Sequence, residues 1–82
     1  METFYIVEQR GSNHSILVPN CFLSASLQKI ENWLINNQDF DSRDHEWYWV
    51  IIKIVLDDED GGEFFKVYDW NAKELEEQPF FI

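Results

Sequence analysis

The chain contains a single cysteine, Cys21, so no intramolecular disulfide can form. A lone thiol among apolar neighbours fits a reducing compartment better than a secreted, bridge-stapled scaffold, and a cytoplasmic address is the expectation. Long hydrophobic runs are also missing. The longest, from Trp47 to Ile52, is six residues, far below the roughly 20 that a membrane-spanning helix needs. The start Met1-Glu2-Thr3-Phe4-Tyr5 has neither a basic stretch nor a long apolar one, so no targeting segment points elsewhere. Glycines in a phosphate-cradling pattern are absent as well, since Gly61-Gly62 lies among anions that would expel a phosphate. Neither internal repeat nor linker interrupts the chain, and 82 residues suit one single-cored domain, residues 1–82.

Positive charge is the scarcest commodity. Six basic residues face 16 acidic ones, a formal net charge of −10. The imbalance is lopsided: residues 1–38 hold three acids and two bases, net −1, whereas residues 39–82 hold 13 acids and four bases, net −9. Such a field repels nucleic-acid phosphates and anionic membranes, and it draws cationic protein surfaces into fast, salt-sensitive encounters.

What the chain does have is apolar bulk. The composition is 45% hydrophobic and 17% aromatic, with seven Phe and four Trp, enough to fold a small core. Residues 3–8 mix β-branched and aromatic types with polar ones, and residues 14–18 do the same after Arg10-Gly11-Ser12-Asn13. This pattern predicts a β-hairpin closed by a Gly/Ser/Asn turn, with Pro19-Asn20 ending its second strand. Leu27, Ile30 and Leu34 then recur at helical spacing within residues 24–37, with Ser24 or Ser26 as N-cap and Asn36-Asn37 as the stop.

The strongest strand signal runs from Trp47 to Leu56 and is apolar on both faces. Alternation puts Tyr48, Val50, Ile52, Ile54 and Leu56 on the face expected to meet the helix. Trp47, Trp49, Ile51, Lys53 and Val55 fall on the other, expected to be only partly covered. An acidic turn, Asp57-Asp58-Glu59-Asp60-Gly61-Gly62, leads to an antiparallel strand over residues 63–68, with Phe65 and Val67 on one face and Phe64, Lys66 and Tyr68 on the other. Asn71 followed by Glu74 resembles a capping box, predicting a short helix or turn over residues 72–78 that Pro79 stops. Phe80-Phe81-Ile82 is too apolar to stay in water and is expected to dock on the core or a partner. The predicted architecture is an α+β single domain in ββαββ order: one antiparallel sheet packed on one amphipathic helix, with an optional short C-terminal helix.

No catalytic or metal-binding pattern survives inspection. Five acids among residues 57–63 suggest a calcium loop, but either glycine alignment puts Leu56 or Gly61 at ligand positions and Val67 or Tyr68 at the last one. A solvated turn that guards a sheet end is the simpler account. His45-Glu46 lacks a second histidine at the zinc-protease spacing, where Trp49 stands instead. His14, His45 and Cys21 have no metal-site spacing, and an acidic setting raises rather than lowers the pKa of a candidate Cys21 nucleophile. Carboxylate pairs such as Asp44/Glu46 and Asp57/Glu59 arise from abundance alone. The expectation is therefore a protein that is not an enzyme and needs no cofactor or metal.

The residues left as binding candidates are the acids Asp57, Asp58, Glu59, Asp60, Glu63 and Asp69 and the aromatics Trp47, Trp49 and Tyr68, with Phe64 beside them. Trp and Tyr ringed by polar groups make binding hot spots, and the same rings also suit a small core. In size, charge and lack of catalytic groups the chain resembles in type the small acidic inhibitors made by phages and toxin operons: DNA mimics, anti-CRISPR proteins and nuclease-toxin immunity proteins. Those proteins share no single fold, and no motif ties this chain to one family among them. The partner such a resemblance implies is a basic protein, a nucleic-acid-binding enzyme or complex, with no direct contact to nucleic acid or membrane. The alternative is an accessory domain that pairs, as a homodimer or otherwise, through its sheet edge, aromatic face or C-terminal tail.

Overall fold

The computed structural model describes residues 2–37, 46–57 and 62–78. Strands β1 (Thr3–Gly11) and β2 (Ile16–Ser24), helix α1 (Leu27–Asn36), and strands β3 (Trp47–Val55), β4 (Glu63–Asp69) and β5 (Glu74–Leu75) follow in that order. All five strands form one antiparallel sheet, ordered β2-β1-β3-β4-β5, so the apolar β3 is central as its sequence predicts. The α+β class and the helix are as expected. Ser26 is the N-cap, its hydroxyl accepting from the Lys29 amide, and Asn37 is the C-cap.

The helix lies on the opposite face from the one predicted. Ile30 and Leu34 of α1 are fully buried against Val7, Trp47, Trp49, Ile51 and Tyr68. Trp33 stacks on Phe22 at 5.4 Å between ring centroids and meets Trp49 edge-on at 5.4 Å. Trp47 and Trp49 are thus 2% and 0% exposed rather than partly uncovered. A strand apolar on both sides does not encode which side is which; here the bulk of Trp33 and Phe22 matches the indole pair.

A β-bulge corrects the side-chain assignment in β4. Ile51 pairs with Lys66 but Ile52 pairs with Phe64, so Phe65 is the extra residue. Phe64 consequently shares the outer face with Val67, whose partner is Val50, while Phe65 turns to the helix side and packs on Tyr5 at 5.2 Å. One inserted residue reverses the parity that strict alternation predicts.

Two further elements differ from the sequence-based expectation. Pro19-Asn20 does not end β2: the strand runs on to Ser24, with Asn20 in the left-handed region (φ 51°) and the pairing with β1 shifted between Val7 and Gln9. An edge strand tolerates this, because Pro19 falls in that shifted stretch, between the paired Val18 and Phe22, where it has no register partner in β1. Residues 72–78 form no helix either. The Asp69 carboxylate accepts from the Asn71 and Lys73 amides, Ala72 takes φ 61°, and the chain reverses into β5, where Glu74 pairs with Tyr68. Asp69, rather than Asn71, organises the turn.

Candidate functional site

The described acids are concentrated at the surface. Glu46, Asp57, Glu63, Glu74, Glu76 and Glu77 are exposed. Among the described residues the ion pairs are Arg10–Glu8 at 2.8 Å and Lys66–Glu74 at 3.2 Å, which leaves the exposed Glu2, Glu46, Asp57, Glu63, Glu76 and Glu77 without a cationic partner there. Asp58, Glu59 and Asp60 lie outside the described residues, as do His45 and Phe80-Phe81-Ile82.

The aromatic candidates do not join this surface. Trp47, Trp49 and Tyr68 sit beneath α1, with Tyr68 6% exposed. Tyr68 faces Glu31 of the helix, its hydroxyl donating to the carboxylate at 3.4 Å. Burial, followed by repulsion from the Glu31 and Glu74 carboxylates, pushes its pKa up to about 12. Asp69 is half-buried and engaged in its turn, whereas Asp57 and Glu63 flank the β3–β4 connection and are free to meet a partner.

A groove beside β4 was not foreseen. An open groove of about 990 Å³ is lined by β4 residues 64–67, by residues 74–78 and by His14. Phe64, Val67 and Leu75 supply apolar lining, and Glu74, Glu76 and Glu77 make its charge negative. β5 pairs with β4 only at Val67 and Tyr68, so no described strand occupies the outer edge of residues 63–66. A strand of two residues has too little sequence to announce itself, and the expected capping box concealed it. His14 reaches this side from the 3₁₀ turn Ser12–His14, where its Nδ1 lies 2.6 Å from the Tyr48 hydroxyl.

Cys21 is half-buried, and its Sγ donates weakly to the Val18 carbonyl at 3.4 Å. Burial raises its pKa, against the opposing influence of the Gln9 backbone, so the thiol stays protonated and a poor nucleophile. Among the described residues no three His, Cys, Asp or Glu side chains gather as a metal site, and no helix is long and apolar enough to cross a membrane.

No family model, curated protein or solved structure matches the chain. Its function has to be argued from its own surface.

Proposed function

We propose that this protein is a non-catalytic binding module whose acidic surface occupies the cationic, nucleic-acid-binding face of a partner protein and so acts as an inhibitor. The observation that carries this reading is the set of exposed carboxylates lacking a cationic partner among the described residues, Glu2, Glu46, Asp57, Glu63, Glu76 and Glu77, on a chain of net charge −10. Unpaired surface carboxylates raise the field felt by an approaching cationic protein and speed association.

The test is affinity capture from a lysate of the source cells at low salt, followed by elution with duplex DNA. Retained proteins should be nucleic-acid binders that duplex DNA displaces, and roughly 0.5 M salt should release them by shortening the screening length to about 4 Å. Retention of no basic protein, or retention that DNA leaves untouched, removes the proposal.

A second reading, self-association through β2, rests on Ile16, Leu17 and Leu23, which stand exposed on that edge strand. Against it, Pro19 and left-handed Asn20 interrupt the ladder that a second β2 would need, and two copies would each bring a charge of −10. Sedimentation as a monomer at every concentration eliminates this alternative.

A further inference from the structure

We infer that the groove beside β4 takes an extended, cationic segment of a partner protein, which adds a strand to the outer edge of residues 63–66, an edge that no described strand occupies. This rests on the proposed recognition of a cationic partner and specifies where and how it is gripped. Three observations converge. β5 leaves β4 after two paired positions, so the backbone groups of residues 63–66 on that edge have no described strand to bond. Strand addition satisfies such an edge, and four residues span about 13 Å. Phe64, Val67 and Leu75 line the adjoining space, and Phe64 is 51% exposed, so alternate apolar side chains of an incoming strand have a surface to cover.

The third observation is charge. Glu74, Glu76 and Glu77 line the groove together with Lys66, which pairs with Glu74 at 3.2 Å. Lys or Arg at the remaining alternate positions complements Glu76 and Glu77, whereas an acidic or phosphate-bearing segment is repelled. A second copy of this chain is disfavoured on the same ground.

The probe is a capped peptide of alternating lysine and valine, titrated into the ¹⁵N-labelled protein by NMR. A second peptide has the same sequence with alternate backbone amides N-methylated, which keeps charge and side chains but removes the ladder donors. Expected are shifts confined to residues 63–67 and 74–78, and affinity weakened about tenfold or more by N-methylation. Glu76→Lys with Glu77→Lys, both at exposed positions, should weaken binding by a similar factor without altering the folded spectrum.

Equal affinity for both peptides, with shifts spread to Glu46 and Asp57, overturns the groove and leaves the acidic-surface proposal standing. Groove signals already protected in a dimer that the peptide does not dissociate assign the site to a second copy and also overturn it. Capture of DNA-displaceable basic proteins by the unaltered protein, despite equal affinity for the two peptides, separates failure of the groove from failure of the acidic-surface reading.

Discussion

The His14 imidazole and the Tyr48 phenol, 34 positions apart in sequence, meet at 2.6 Å and join the β1–β2 turn to the central strand. Their rings cross at 79° with centroids 5.9 Å apart. His14 has a left-handed backbone (φ 59°), so the turn bends to deliver this side chain. Tyr48 is fully buried, and His14 gives its hydroxyl a partner there.

Tyr48→Phe should therefore lower stability by about 1 kcal/mol, the usual net value of a hydrogen bond whose other member can turn to water. Urea denaturation measures it. No loss beyond error would mean that the contact contributes nothing to the fold.

Tyr68 makes the fold sensitive to alkali. Its folded pKa is raised to about 12 from an ordinary 10.0 by burial and by Glu31 and Glu74. The unfolded chain then ionises before the folded one does, so this contribution to stability is complete below pH 10 and is lost as pH rises through 12. Tyr48, raised by burial, acts in the same direction. Absorbance titration should resolve a late-ionising phenol, and Glu31→Gln should move it back toward 10.0 by removing the repulsion of the Glu31 carboxylate. An unmoved titration would rule out the helix carboxylate as a contributor.

The helix should divide sharply into residues that matter to the core and residues that do not. Ile30→Ala and Leu34→Ala each empty a fully buried site under α1 and should cost about 2–5 kcal/mol. Ile35→Ala, at a side chain 58% exposed, should stay within about 0.5 kcal/mol. Thermal or urea unfolding of the three variants decides; a costly Ile35→Ala would show that its face is covered.

That helix was legible in the sequence because Leu27, Ile30 and Leu34 repeat at its own period and Ser26 caps it. The central strand was legible from its continuous apolar run, but its handedness was not, since Tyr48, Val50 and Ile52 are as apolar as Trp47, Trp49 and Ile51. Only the partners settle the matter, Phe22 and Trp33 on one side and Glu8, Arg10 and His14 on the other. The bulge at Phe65 carries no sequence mark, since it does not fall on a glycine, whereas Pro19-Asn20 marks the irregularity in β2 but reads equally as a strand's end. The acids at Asp57 and Glu63 were legible by count; the groove beside them depends on a turn closed by Asp69 and could not be read from spacing.

Gly62 is where the acidic connection rejoins the sheet, and its backbone lies directly over Ile52. A Cβ added there would stand 2.6 Å from the Ile52 Cγ2 methyl and 3.3 Å from Ile54 Cγ1. Ile52 is β-branched and held in the central strand, so it has little room to yield. Gly62→Ala should destabilise by about 1–3 kcal/mol through overpacking. Ile52→Val in the same chain keeps Cγ2 and should not rescue it, whereas Ile52→Ala removes the obstructing methyl and should reduce the penalty of the glycine change. Additive losses in the double variant would show that the two residues do not touch.

Gln9 shows the opposite condition, space filled by the wrong chemistry. It is fully buried opposite Trp49 in the β1–β3 ladder, and neither its amide nitrogen nor its amide oxygen finds a hydrogen-bond partner among the described residues. A buried polar group left unbonded costs about 1–3 kcal/mol, whereas methionine has nearly the same length and volume without that cost. Gln9→Met should accordingly raise stability by about 1 kcal/mol or more in urea, and Gln9→Ala should lower it by leaving a cavity beside Trp49. A stability loss in the methionine variant would mean that the amide is satisfied, by ordered water or by the binding partner, and would move Gln9 from the core to the list of residues that hold something.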